Sequence, residues 1–112
     1  MRVISKRTLT EFWESSTKYK DSKKSLISWH AETIKANWKI PQEIKAKYRS
    51  ASILKNNRVV FNIAGNKYRL IISIDYIRQA CFVKFVGTHE EYDLINAETY
   101  DGYSANKNRR RL

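Results

Sequence analysis

Cysteine, proline and glycine are scarce in this chain of 112 residues, which has one cysteine, one proline and three glycines. A single cysteine, Cys81, cannot form an internal disulfide or a zinc cluster built from several cysteines. The scarcity of proline and glycine, together with 42% hydrophobic residues, is typical of a packed globule and argues against a disordered chain. We therefore expect a buried, reduced thiol in a cytoplasmic protein.

Long hydrophobic runs are also missing. The longest apolar-rich runs, RLIISIDYI (69–77) and ACFVKFVG (80–87), are short and interrupted by charge, whereas a membrane span needs roughly 20 apolar residues. The first residues, MRVISKRTLTEF, contain no apolar core of a signal peptide. The sequence therefore predicts a protein that neither spans a membrane nor is exported.

Acidic residues are few relative to basic ones. The chain has 22 lysines and arginines against 11 aspartates and glutamates, which gives a formal net charge of +11. Such an excess on a small domain indicates a polyanionic partner, usually nucleic acid, with an anionic membrane surface as the alternative. The length suits one domain. We expect that domain at residues 1–100, followed by a basic, flexible tail at 101–112.

Helical patterns occupy the first half of the chain. A short strand at residues 2–5 precedes a first helix, which Ser5 or Thr8 caps. A second helix begins after Asp21 or Ser22, and Pro41 ends the helical hairpin. The apolar stripes predicted to face the core are Leu9, Phe12, Trp13 and Ser16 on the first helix, and Ile27, Ala31, Ile34 and Trp38, widened by Leu26 and Trp29, on the second.

The second half has the period of β-strands. Three runs at 58–63, 67–77 and 80–87 alternate and are rich in Val, Ile, Phe and Tyr. A tight turn at 64–66 joins the first two as a hairpin. A short helical turn and an irregular basic loop precede them at 41–54, and a last helix follows at 90–98. The predicted fold is α+β, with an N-terminal strand and a helical hairpin packed on an antiparallel sheet and a short C-terminal helix.

Strand alternation divides the predicted sheet into a face covered by the helices, the helical face, and an opposite face, the far face. The predicted far face carries cations, an amide and apolar side chains, whereas Val83 and Phe85 are assigned to the helical face. The residues predicted for the far face are Arg58, Asn62, Lys67, Arg69, Ile71, Phe82, Lys84 and Val86. Such a surface can bind a phosphate backbone and offer aromatic area to a base. The alternative is a set of solubilising charges on a wet sheet face, and an error in register would shift the assignment.

The stretch KFVGTHEEYD (84–93) adds proton-transfer groups to this surface. Thr88 is a plausible N-cap, which explains Glu90 and Glu91 as first-turn residues that complement the helix dipole. His89 and Tyr92 lie three residues apart and project from the same side of a helix.

RNA cleavage without a metal is the chemistry that these groups support. Such a reaction removes a proton from the 2′-hydroxyl, stabilises a phosphorane and protonates the 5′-oxygen. His89 or Tyr92 could transfer protons, and Arg58, Arg69 and Lys84 could stabilise the phosphate. No paired acids lie on the predicted cationic face, which disfavours a magnesium-dependent nuclease. His30, in contrast, lies beside the apolar stripe of the second helix and is interpreted as structural.

The segments RVVFNIAGNKYRLIISIDY and CFVKFVGTHEEYD together resemble the HigB-type toxins of the RelE-like superfamily. The strongest local match is THEEYD, at 88–93. By position, the resemblance assigns catalytic roles to Arg69, Lys84, His89 and Tyr92, and Arg58 is a looser match. It implies no metal or cofactor. Together with the far-face pattern, it predicts RNA contacts at Arg58, Asn62, Lys67 and Phe82.

The resemblance also implies a function and partners. It implies a ribosome-dependent endonuclease that cuts mRNA in the ribosomal A site and is held inactive by a cognate, HigA-like helix-turn-helix antitoxin. A module that binds RNA or the ribosome without cleaving it is the alternative, and the residues leave open whether His89 or Tyr92 is the base. A DNA-binding repressor fits less well, since the apolar helical stripes look fully used in packing.

Overall fold

Helices and strands follow the order of an α+β fold in residues 1–102, which are the residues that the computed structural model describes. The strands are β1 (Arg2–Ile4), β2 (Ser52–Leu54), β3 (Arg58–Ile63), β4 (Tyr68–Asp75) and β5 (Ala80–Thr88). The helices are α1 (Lys6–Glu14), α2 (Lys23–Lys35), α3 (Pro41–Lys47) and α4 (His89–Tyr92), with a 3₁₀ helix at Thr17–Ser22. Most of the predicted basic tail, residues 103–112, lies outside the described residues.

The five strands form one mixed sheet in the order β1-β5-β4-β3-β2. β1 runs parallel to β5, and the other neighbouring pairs are antiparallel. The predicted hairpin is confirmed, with Ala64 and Gly65 at φ 54 and 69 in its turn, the left-handed conformation typical of tight hairpins. The sequence missed β2, because three residues within a basic stretch leave too short an alternation to detect.

The helical layer packs on one face of the sheet and forms the core. Leu9 and Trp13 of α1 and Leu26 and Trp29 of α2 are buried against that face. The Trp29 ring meets the Phe61 ring edge to face at 5.5 Å. The sheet residues of this core are Val59, Phe61, Ile63, Tyr68, Leu70, Ile72 and Ile74, all predicted for the helical face. The α+β fold predicted from the sequence is therefore confirmed.

Cys81 lies in the same core. Its side chain is fully buried and the thiol is free. Burial raises the pKa of this thiol to about 12, so it stays protonated at neutral pH. The expectation of a buried, unpaired cysteine is confirmed.

The apolar stripe predicted for the second helix is correct only in part. Leu26, Trp29 and Trp38 are buried as predicted, and Thr33 joins them. The prediction was wrong for Ile27 and Ile34, which are 43% and 47% exposed, and for Ala31, which is exposed as well. Both sets repeat with the helical period, so the pattern alone does not choose between them. The larger Trp29, which fills the space above Phe61, determines which side is buried.

A β-bulge in β5 overturns part of the predicted face assignment. Ile71 pairs with Phe85 and Ile72 with Val83, which leaves Lys84 without a partner in β4. An extra residue in one strand exchanges the faces of the residues beyond it. The prediction was wrong for Phe85, which lies on the far face, and for Val86, which packs against the core.

The last helix is shorter than predicted. α4 is only His89–Tyr92, and the chain continues through turns up to Gly102. Leu94 is 85% exposed, so residues beyond Tyr92 present no apolar stripe that a longer helix could bury. The segment 93–102 instead crosses the far face, where Val60 and Ile71 are buried outside the main core. The centre of that face is therefore covered and apolar, whereas the sequence predicted an accessible cationic surface.

No helix within residues 1–102 is both long enough and apolar enough to cross a membrane.

Candidate functional site

Arg69 and Tyr92 meet where β4, β5 and α4 come together. Arg69 lies on the far face, opposite Asn62 of β3 and Gly87 of β5. Its guanidinium carbon lies 5.8 Å from the centre of the Tyr92 ring, within the range of a cation–π contact. One guanidinium nitrogen also donates to the backbone oxygen of Asn66 at 3.1 Å. The cation is thus held in place near the start of β4, where its other nitrogen–hydrogen groups can bind a phosphate.

A capping box fixes the start of α4. The Thr88 hydroxyl accepts from the Glu91 amide at 3.1 Å, and the Glu91 carboxylate accepts from the Thr88 amide at 2.9 Å. This reciprocal pair satisfies amide groups that a helix start leaves without partners. The prediction that Thr88 caps the helix is confirmed. Through this turn the end of β5 determines where His89 and Tyr92 stand.

His89 is exposed beside an aspartate. Its Nδ1 lies 3.4 Å from the Asp93 carboxylate, four residues on, and the His89 side chain is 48% accessible. A carboxylate on one ring nitrogen orients the imidazole and sets which nitrogen meets a substrate. Nε2 is the remaining nitrogen for proton transfer. Asp93 was not predicted as a site residue, although its spacing of four from His89 is the signal that could have identified it.

Gly87 provides the space in which these groups pack. A Cβ added at Gly87 would lie 2.6 Å from Cζ of Phe85 and 2.7 Å from Oε1 of Glu91. Any side chain there would displace the Phe85 ring and the capping carboxylate. Gly87 was not predicted as a site residue, although a glycine inside a strand often marks a close approach.

Aromatic rings continue the site across the far face. The Phe85 ring lies 6.5 Å from the Tyr92 ring and 5.6 Å from the Tyr100 ring, the latter edge to face. The bulge at Lys84 is what turns Phe85 towards this row. Tyr100, beyond the predicted helix, was also missed, because nothing in the local sequence indicates that the chain returns to the sheet. The row offers ring faces on which bases can stack.

Lys84 and Phe82 form a second group along β5. The Lys84 ammonium lies 5.9 Å from the centre of the Phe82 ring. Lys84 also lines a groove of about 1070 Å³ between α1 and the segment 91–102, together with Arg7, Phe85 and Tyr100. The structure thus joins Lys84 to Phe82 and to the groove, whereas Arg69 contacts Tyr92. Phe85 lies between the two groups.

Arg58 holds the C-terminal segment on the far face. Its guanidinium donates to the backbone oxygens of Tyr100 at 2.7 Å and Ala97 at 3.4 Å. Asn56 adds a hydrogen bond to the Glu98 oxygen at 3.0 Å. Burial lowers the pKa of Arg58 from its usual value, and the charge of Asp101 acts in the opposite direction. Arg58 is therefore engaged with the protein's own backbone.

Lys67 is engaged on the other side of the sheet. Its ammonium lies 2.5 Å from the Asp21 carboxylate, which also accepts from the Tyr68 hydroxyl at 2.5 Å. The hydrogen bonds from Lys67 and Tyr68 hold the pKa of Asp21 below its usual value. Lys67 thus ties the hairpin to the 3₁₀ helix, instead of joining Arg69 and Asn62 on the far face as predicted.

Within residues 1–102, no group of three or more His, Cys, Asp or Glu side chains is arranged to hold a metal ion. What the site does hold is a fixed guanidinium, a phenol, an exposed imidazole and a row of rings. These groups can bind a phosphate, transfer a proton and stack a base.

The sequence of the chain matches a protein-family model over most of its length. The model for HigB_toxin, described as the RelE-like toxic component of a toxin-antitoxin system, matches residues 22–95. That range is more than half of the chain and runs from the N-cap of α2 to just beyond α4, so it includes Arg69, Lys84, His89 and Tyr92. The chain belongs to the HigB toxin family. The resemblance found in the sequence is confirmed, and an antitoxin is the partner that such a toxin has.

Curated HigB proteins resemble the chain over most of its length. It is 29% identical over 99 residues to the mRNA interferase toxin HigB of Escherichia coli K12, covering 87% of this chain and 92% of that protein. The mRNA interferase HigB of Shigella flexneri gives the same values. The mRNA interferase HigB of Escherichia coli O6:H1 (strain CFT073) is 28% identical over 97 residues, 85% of this chain and 91% of that protein.

Proposed function

We propose that this HigB-family toxin is a ribosome-dependent endoribonuclease that cleaves mRNA in the ribosomal A site. The toxin domain spans residues 1–100, acts in the cytoplasm and needs no metal or cofactor. The observation that carries the proposal is the placement of Arg69 against Tyr92, with His89 on the same short helix. The mRNA interferase names of its HigB relatives support the same activity.

The proposed reaction is an attack of the ribose 2′-oxygen on the adjacent phosphorus, with departure of the 5′-oxygen. His89 and Tyr92 carry the two proton transfers, one from the 2′-hydroxyl and one to the leaving oxygen. Arg69, fixed by its contact with Tyr92, stabilises the charge of the phosphorane, and Lys84 adds a second cation from the groove side. These four residues are the proposed catalytic set.

RNA binding is proposed to extend from Arg69 to the parts of the far face that lie around its covered centre. Asn62 lies beside Arg69 in the sheet and offers an amide to a base or sugar. Phe82, beneath the Lys84 ammonium, offers a ring for stacking. Arg58 and Lys67 contribute positive charge at the margins of this surface. Both have protein partners, so the proposal assigns them weaker contacts with RNA than Arg69.

Mapping of mRNA ends in a bacterial host tests this proposal. The wild-type chain is induced alone and compared with Arg69→Ala, His89→Ala and, as a control, Arg78→Ala, whose side chain is 82% exposed in an ion pair with Asp75. Growth arrest with new 5′ ends inside translated codons is expected for the wild type and Arg78→Ala only. Unchanged mRNA ends with the wild-type chain would contradict the proposal, and arrest without cleavage would indicate a module that binds the ribosome.

The proposed inhibitor is a HigA-like antitoxin with a helix-turn-helix fold. Co-expression with the product of the neighbouring reading frame should restore growth and abolish the new mRNA ends. If co-expression of that product changes neither growth nor the new mRNA ends, this assignment is contradicted.

A further inference from the structure

Helix α2 presents an apolar stripe to solvent. Ile27, Ala31 and Ile34 share one side of the helix at spacings of four and three, and all three are exposed. Ile27 and Ile34 are 43% and 47% exposed. The inner side of the same helix is already filled by Leu26, Trp29 and Thr33. The stripe is therefore regular, apolar and unused by the fold of the described residues.

Lysines flank the stripe on both sides. Lys23 and Lys24 lie one turn before Ile27, and Lys35 follows Ile34; all three side chains are exposed. The neighbouring acids are already engaged within the protein. Glu32 accepts from the Tyr48 hydroxyl, and Asp21 binds Lys67 and Tyr68. The surface is therefore an apolar centre inside a positive border.

The geometry points to a docking site for an acidic, amphipathic helix of the antitoxin. Ile34 lies seven positions after Ile27, a rise of about 10 Å along the helix that two turns of a partner helix can cover. An apolar stripe paired with complementary charges is how helices recognise one another's faces. This inference rests on the antitoxin partnership of the family and adds where on the toxin the antitoxin binds.

Charge argues against two other occupants. A second copy of this chain, itself at +11, would bring lysines against lysines if the stripes paired. Ribosomal RNA would match the lysines but would leave the isoleucines against phosphate and sugar. An acidic helix matches both the border and the centre. The stripe also lies on the helical layer, whereas Arg69 and Tyr92 lie on the far face, so the two surfaces can be altered separately.

Isothermal titration calorimetry tests the site, using the toxin chain and the purified antitoxin whose co-expression restores growth. Ile27→Glu/Ile34→Glu should raise the dissociation constant at least about tenfold, since it removes two apolar contacts and adds like charge. The matched control is Ile77→Glu, the same change at a side chain 94% exposed elsewhere, which should stay within about twofold of wild type. Circular dichroism checks that each variant folds. If Ile27→Glu/Ile34→Glu has lost its helical signal, Ile27→Ser/Ile34→Ser is used in its place.

A charge variant tests the border of the site. Lys23→Glu/Lys24→Glu/Lys35→Glu should weaken binding and reduce its dependence on salt, because the variant loses attractive charge pairs. All of these variants should still arrest growth when no antitoxin is present, and co-expressed antitoxin should no longer rescue the double isoleucine variant.

Several results would overturn the docking site. Among them are unchanged affinity in the folded isoleucine variants, equal weakening by Ile77→Glu, and wild-type dimers in light scattering that the variants convert to monomers. The last result would assign the stripe to self-association. Loss of ribosome binding with antitoxin affinity intact would likewise reject the inference. Failure of the wild-type chain to cleave mRNA would contradict the proposed function alone, because calorimetry measures docking independently of cleavage.

Discussion

The guanidinium of Arg69 lies 5.8 Å from the centre of the Tyr92 ring. The two residues are 23 positions apart in the chain, and the pairing of β4 with β5 brings them together. Arg69 can thus keep its ring contact while its remaining donors face a substrate. This relation gives the first prediction.

Tyr92→Phe keeps the ring and removes the hydroxyl. If Tyr92 transfers a proton, cleavage by ribosome-bound toxin should fall about 100-fold or more, while the contact with Arg69 and the melting temperature stay close to wild type. Arg69→Ala should lose a comparable factor, since it removes a donor to the phosphorane. Single-turnover cleavage on programmed ribosomes measures both. Full activity of Tyr92→Phe would show that Tyr92 only supports Arg69.

Gly87 should tolerate no side chain. Gly87→Ala places a Cβ 2.6 Å from Phe85 and 2.7 Å from the Glu91 carboxylate. We expect a loss of about 1–3 kcal/mol in the free energy of unfolding from overpacking and reduced cleavage, since the capping box moves. The control is Gly65→Asn, at a turn position with nothing within 4 Å of an added Cβ, where asparagine accepts the positive φ. Chemical denaturation measures the difference, and equal stability of the two variants would contradict the account.

Arg58 should govern the protection of the C-terminal segment. Arg58→Ala removes the donors to the Tyr100 and Ala97 oxygens, so amide hydrogen exchange in residues 97–102 should accelerate by about tenfold. Arg78→Ala, which removes an exposed arginine, is the control. If Arg58 contacts RNA instead of the segment, exchange will be unchanged and only RNA affinity will fall.

Asp21 should make stability depend on acid pH. The pKa of its carboxyl is held below the usual 3.8, first by the hydrogen bond from Lys67 and then by that from Tyr68. A lowered folded pKa gives stability that is present above the unfolded value and lost as pH falls through the folded value. The melting temperature of the wild type should therefore exceed that of Asp21→Asn at pH 7, and the gap should shrink below about pH 4.

Thermal unfolding followed by circular dichroism between pH 7 and about pH 2.5 measures this gap. Glu90→Gln, which removes one exposed acid, is the control for the loss of a negative charge. A gap for Asp21→Asn that is constant across this range would show that the carboxylate charge contributes nothing.

The β-strands and their hairpin were predictable because alternation and turn residues are local signals. Residues 58–63 were assigned to β3 with both ends correct, and the apolar sets of β3 and β4 lie in the core as expected. The far face was predictable only in part. The bulge at Lys84 arises from pairing with β4, which no local pattern records, and it exchanges the faces of Phe85 and Val86.

The errors in the helical layer have a similar origin. Ile27 and Leu26 are adjacent apolar residues that were both predicted to face the core, and only the position of the sheet beneath the helix determines that Leu26 is buried and Ile27 is not. Likewise, Arg58 and Lys67 have charges that the sequence shows, but their partners, Tyr100 and Asp21, lie more than 40 residues away. The residue types at the site were therefore predictable from the sequence, whereas their hydrogen-bond and ion-pair partners were not.

The parallel pairing of β1 with β5 has a consequence for biosynthesis. Residues 2–4 emerge from the ribosome well before their partners, residues 80–82, so this edge of the sheet cannot close until those later residues have been made. Pairings this distant in sequence form slowly and late. Arg69 likewise meets Tyr92 only after β5 has paired with β4. A ribosome that translates this toxin must therefore have passed Tyr92 before the product can acquire a site.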